Sequence, residues 1–234
     1  MTVTRSAWCV LAAALLGLGS PGAATAVAPV WVPLTADRLA AAVAAAHTPE
    51  AIGYARTNLR RPGRPEPAGI TVAATGIPAY TLDPAFVRGD GTGPAAVLAY
   101  VAVVARAADG RTTTIEATPA AAGWRVTTAL SGDDETRLAR ELRPGTVLLS
   151  EPQINGWYEL GPGGVRLLRA SLPQNPVGAL VPLTEYQHQV HDRYADKQPG
   201  AARSPAWPWW SAAGAAVAAA AVFGLRRLRT ASRS

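Results

Sequence analysis

His188, His191 and Asp192 are, by type and spacing, the residues best suited to hold a metal ion. His188 and Asp192 stand at i and i+4, which puts two ligand types on one helix face. A metal site needs at least a third ligand, and His47 is the only other histidine. Tyr186, Val190 and Tyr194 recur at i, i+4 and i+8 and define a buried side, which turns both histidines toward solvent. No metal is therefore expected. No cofactor is implied either. Gly89-Asp90-Gly91-Thr92-Gly93 lacks the Lys-Ser/Thr of a phosphate loop and precedes a strand. No Gly-x-Ser-x-Gly elbow, His-Glu-x-x-His pair or Ser-x-x-Lys occurs.

The stretch Gln153 to Leu160 carries a different chemistry. Read as one strand with period 2, it places Ile154, Tyr158 and Leu160 on one face. Gln153, Asn155, Trp157 and Glu159 fall on the other. A tryptophan between amides and a carboxylate offers an apolar plate flanked by hydrogen-bonding groups, which is how a surface grips a sugar or peptide. These four are the candidate ligand-binding residues. The competing expectation is that Trp157 packs under a loop or helix, the commoner fate of a large aromatic. Paired acids for glycoside hydrolysis would have to be Glu151 and Glu159, which an extended strand would hold more than about 20 Å apart without a bend. Asp133, Asp134 and Glu135 fit a helix N-terminus and its dipole, without calcium.

The elements that must position these residues read as α+β. Thr35 caps a helix over Ala36 to Ala46, and Thr48-Pro49-Glu50 restarts a second to Leu59. Arg60 to Gly69 is a loop whose arginines (Arg60, Arg61, Arg64) could meet anionic polymer or lipid heads, a solvated loop being the plainer reading. Ala95 to Arg106, Arg111 to Ala117 and Gly123 to Leu130 form a three-strand meander turned at Asp109-Gly110. Ser131 with Asp134 opens a helix through Leu142 as a capping-box variant. Strands follow near Thr146 to Ser150, Gln153 to Leu160 and Val165 to Arg169. Thr184 and Gln187 box the start of a last helix.

The two ends are hydrophobic. Residues 1–26 have the parts of a secretory signal: Arg5, an apolar stretch from Ala7 to Leu18, and Ala24-Thr25-Ala26 for cleavage. Cys9, the single cysteine, lies inside it, so thiol chemistry is not expected of the exported domain, 27–196. A short tether, 197–205, precedes Ala206 to Leu225, a charge-free stretch long enough to span a bilayer. Trp207, Trp209 and Trp210 sit at its entry, where indoles favour the headgroup level. Arg226, Arg227 and Arg229 follow in the basic tail, 226–234, and hold it on the cytoplasmic side. The net charge of +6 is mostly such tail charge, since 17 Arg and Lys face 16 Asp and Glu between Val27 and Pro205. That balance argues against nucleic-acid binding.

Helices followed by a meander ending in Gly-Trp-Arg-Val resemble the cystatin/NTF2-like arrangement, which implies N-terminal helices packed on a curved antiparallel sheet, with a C-terminal helix here. Glu151-Pro152-Gln153-Ile154-Asn155-Gly156-Trp157-Tyr158 and the stretch from Tyr186 to Lys197 resemble a group of uncharacterised exported actinobacterial membrane proteins. That resemblance implies origin and topology but no catalytic residues. The expectation is a single-pass protein of the cell membrane with its domain outside. It contacts lipid through its C-terminal helix and binds an envelope protein or cell-wall component. An enzyme acting on envelope glycans or peptides, or a structural subunit of a membrane complex, would have the same layout.

Overall fold

A computed structural model describes residues 29–90 and 93–195. The segments expected from sequence as signal peptide, tether, membrane span and basic tail, with Trp207, Trp209, Trp210, Arg226, Arg227 and Arg229, lie outside the described residues. Among the described residues no helix is long and apolar enough to cross a membrane.

Both N-terminal helices start where their caps dictate. α1 (Ala36–Ala46) follows Thr35, whose hydroxyl accepts from the Arg38 amide at 3.4 Å. α2 (Pro49–Leu59) follows Thr48, which accepts from the Ala51 amide at 3.3 Å, with proline at the first helical position. A short β1 (Thr71–Val72), β2 (Ile77–Leu82) and a five-residue α3 (Pro84–Arg88) come next. The meander is then β3 (Ala96–Arg106), β4 (Thr112–Ala120) and β5 (Gly123–Ser131). After α4 (Asp134–Ala139) come β6 (Val147–Glu151), β7 (Gly156–Gly161), β8 (Gly164–Arg169), β9 (Leu180–Val181) and α5 (Leu183–Tyr194).

The strands form one mixed sheet in the order β5-β4-β3-β2-β6-β7-β8-β9, with β1 beside the far end of β3. The antiparallel expectation is corrected at one place: β2 and β6 run parallel over Ala79–Thr81 and Leu148–Ser150. β2 escaped the sequence reading because Pro78 interrupts an otherwise apolar run, and proline argues against a central strand.

Register assigns the faces. Leu98, Tyr80, Leu149, Tyr158 and Leu167 line up across the strands on one face, the front. The adjacent row, Tyr100, Ala79, Leu148, Glu159 and Arg166, lies on the back. Helices α1 and α2 cover the front of β3–β5, where alanines of both helices meet Val101, Val103, Ile115 and Val126. Small helix residues let α1 and α2 lie close on the β-branched surface. α3 and α5 cover the front of the other half, over Tyr80, Leu149, Tyr158 and Leu167. On the back, α4 packs Leu138 against Ala79, Leu148, Trp157 and Leu168.

Two expected caps are not used. Asp133 precedes α4 without a side-chain cap, and the Ser131 hydroxyl bonds Asn58 instead at 3.2 Å. Pro182 precedes α5, so Thr184 lies within the helix, and Gln187 donates to the Phe86 carbonyl at 3.1 Å. Gly164 has no alternative residue. Its φ is 140°, and an added Cβ would stand 2.1 Å from the Val181 carbonyl oxygen.

Candidate functional site

The four residues expected on one strand face are divided. β7 begins only at Gly156, because Pro152–Ile154 forms a 3₁₀ turn and Asn155 takes the left-handed conformation (φ 47°) that reverses the chain. Gln153 and Asn155 are exposed in that turn, and the Asn155 amide donates to the Ser171 hydroxyl at 2.9 Å. Pro152 followed by Asn155-Gly156 was the available signal, since Asn-Gly is a strong hairpin turn. Trp157 and Glu159 do share a face, the back, but neither is displayed. Trp157 is 8% exposed and packs with Leu138, Leu148 and Leu168. Trp157→Ala should therefore cost about 3–5 kcal/mol of unfolding free energy in a urea titration. A loss below about 1 kcal/mol would place the indole at the surface.

Glu159 is a buried anion held by two guanidiniums. Arg143 Nε donates to Oε1 at 2.6 Å and Arg166 Nε to Oε2 at 2.8 Å. Burial pushes the carboxyl up, but the hydrogen bonds and charges of Arg143 and Arg166 outweigh it and hold the group below its ordinary value. Glu151 is also fully buried, on the front. It accepts from Tyr186 Oη at 3.0 Å, from Arg193 at 2.9 Å and from Tyr194 Oη. The two acids thus lie on opposite faces of the sheet. The turn at Pro152 supplies the bend a catalytic pair would need, but the register carries the carboxyls apart.

The histidines are used singly. His47 Nε2 meets the Ala73 carbonyl at 3.1 Å, and His191 Nδ1 meets the Val87 carbonyl at 3.0 Å. His188 is exposed. Among the described residues no three His, Cys, Asp or Glu side chains gather as metal ligands.

Two other acids, Glu116 and Glu135, share the back of the sheet. Glu135 projects from the first turn of α4 onto β3 and β4, where it is 5% exposed. It accepts from Tyr100 Oη at 2.8 Å and from the Thr114 hydroxyl at 3.4 Å. Glu116 lies on the same face of β4, opposite Ala102 and Thr128. Neither carboxyl forms an ion pair among the described residues, whereas Asp133, Asp134, Glu151 and Glu159 all do. Burial, with Glu135 nearby, pushes the Glu116 carboxyl up to about 7. Burial and both acids push the Tyr100 hydroxyl well above its ordinary value.

This is also the part of the sheet that the helices leave open. α1 and α2 lie on the front of β4 and β5, and on the back α4 packs on β2, β3 and β6 and reaches β4 through the Glu135 side chain. Leu130, on the back of β5, is 40% exposed, and Thr128 and Val104 are half-buried. Compared with protein-family models, curated proteins and solved structures, the chain matches none of them. The site is therefore read from its own chemistry. A helix N-terminus and its dipole accounted for Glu135 in sequence. Glu116 was a single acid in a threonine-rich strand, and only the pairing of β3, β4 and α4 brings the two together.

Proposed function

We propose that the chain is an exported protein held at the cell membrane by its C-terminal segment, and that its α+β domain is a binding module. The signal-like first 26 residues, the apolar Ala206–Leu225 segment and the flanking tryptophans and arginines support the topology. The resemblance to exported actinobacterial membrane proteins agrees with it. One observation carries the binding reading. An uncovered stretch of sheet presents Glu116 near buried Glu135 and Tyr100, and neither carboxyl has an ion pair among the described residues. The ligand that completes such a surface is cationic: an amine or guanidinium on a wall peptide or an envelope protein. Its arrival would ionise Glu116 fully and release a proton at neutral pH.

Calorimetric titration of the full chain in zwitterionic nanodiscs with a lysine-containing tripeptide tests this at pH 7. Saturable binding with net proton release, lost in Glu116→Gln, is expected. Absence of saturable heat, or binding indifferent to Glu116→Gln, would sink it. A second reading has its own support, because an acid titrating near neutrality beside another carboxyl can act as a general acid. Turnover of purified wall material, abolished in Glu116→Gln, would make the module an enzyme.

A further inference from the structure

The domain has two chemically different ends. The chain enters and leaves at one of them. The Val30 carbonyl accepts from the Ala95 amide at 2.8 Å, and Trp31 bridges Ala96 at the start of β3. At the exit, Arg193 and Tyr194 fasten the last turn of α5 to Glu151, at the C-terminal end of β6. Because β6 is parallel to β2, and β2 antiparallel to β3, this is the Ala96 end of the sheet.

Arg106 closes the other end of β3. An eleven-residue strand rising about 3.3 Å per residue separates the two ends by about 33 Å. Around that far end gather the end of α2, the loop after it and the β3–β4 turn. The Ala108 amide donates to the Ala68 carbonyl at 3.0 Å, and Arg111 donates to the Leu59 and Pro65 carbonyls at 2.6 and 3.1 Å. Among the described residues, Arg56, Arg60, Arg61, Arg64, Arg106 and Arg111 form ion pairs there with only two acids, Glu66 and Asp109. That excess of four positive charges stands in a region, Val27 to Pro205, whose total is close to neutral.

Backbone carbonyls, not carboxylates, orient part of this charge. Arg61 donates to the carbonyls of Asn58 and Arg60 at 2.6 and 2.8 Å. A guanidinium braced on carbonyls keeps its full charge and loses side-chain freedom before any ligand arrives. Among the described residues Arg56, Arg64 and Arg106 form no ion pair, and all three are exposed.

We infer that this arginine-rich pole is a docking surface for a polyanion of the cell wall, a chain of repeated phosphate or carboxylate groups. The choice rests on the membrane-anchored topology proposed above. If the exit end of α5 leads into the bilayer, the far pole stands about 33 Å further out. That is several Debye lengths from the anchoring membrane's own headgroups at physiological salt. A flexible polymer can reach it and place several anions on the spaced guanidiniums at once.

The test uses the full chain in zwitterionic nanodiscs and fluorescently labelled inorganic polyphosphate, read by anisotropy. Binding should weaken steeply as salt rises. The Arg56→Gln/Arg64→Gln/Arg106→Gln variant should lose at least tenfold in affinity, and Arg140→Gln on the exposed end of α4 should lose none. Should the triple variant unfold, Arg64→Glu alone should still lose several-fold. Equal affinity in the variants and the parent would overturn the proposal. So would variant-sensitive binding to phosphatidylglycerol vesicles without polyphosphate binding, which would make the pole a lipid site. Carbonate washing reads the topology separately. A chain that washes off membranes yet shows variant-sensitive polyphosphate binding would end the anchoring and support this surface.

Discussion

Glu116→Gln should make the protein more stable at pH 8 and leave it nearly unchanged at pH 4. The sign follows from proton counting. The folded Glu116 carboxyl titrates near 7, above the ordinary value of 4.5 that the unfolded chain has. Between those values the folded state holds more protons than the unfolded one, so stability falls as pH rises. The stabilisation is complete below about pH 4.5 and lost above about pH 7. A shift of this size corresponds to roughly 3 kcal/mol at most, and partial exposure reduces it to about 1–3 kcal/mol. Glutamine keeps the shape and removes the ionisation, so the variant should gain that amount at pH 8. Urea midpoints at the two pH values measure it. Parent and variant curves that coincide at pH 8 would show that Glu116 is well solvated and that the acid pair does not exist as described.

The second large effect belongs to Glu151. Its carboxylate is fully buried and balances Arg193, with Tyr186 and Tyr194 completing its hydrogen bonds. Glu151→Leu leaves the guanidinium and two hydroxyls without their acceptor in a low-dielectric site. The expected cost is about 3–5 kcal/mol, because an uncompensated buried charge is worse than no charge. Glu151→Leu/Arg193→Met should recover much of it, since the pair is then replaced and not broken. Tyr158→Phe is the matched control. Its hydroxyl is buried in the same cluster and makes no hydrogen bond among the described residues, so its loss should be nearly neutral. Chemical denaturation of the four proteins decides the matter. A double variant no more stable than Glu151→Leu would show that packing, not charge balance, governs this corner.

These two acids also mark what the sequence could and could not disclose. Helices α1 and α2 were legible because their caps and alanine content are local signals, and the observed bounds match. The β3–β5 meander was legible for the same reason, through Asp109-Gly110 and alternating valines and threonines. Period 2 fails over 153–160 because the 3₁₀ turn opened by Pro152 runs to Ile154 and Asn155-Gly156 reverses the chain. Trp157 follows the competing expectation of packing under a helix and is a core residue beneath α4. Glu116 and Glu135 could not be paired from sequence at all. Their proximity depends on α4 crossing to the back of the sheet, a choice fixed by where Leu138 finds apolar partners.

The parallel contact between β2 and β6 has a consequence for how the chain assembles. Every other strand pair in the sheet is antiparallel, and most join strands close in sequence. The β2–β6 seam spans three residue pairs and joins strands separated by the whole meander and α4. Closing it spans the longest stretch of intervening chain in the sheet and is repaid by only three residue pairs. The two halves can therefore gain order before they meet, and the seam forms late.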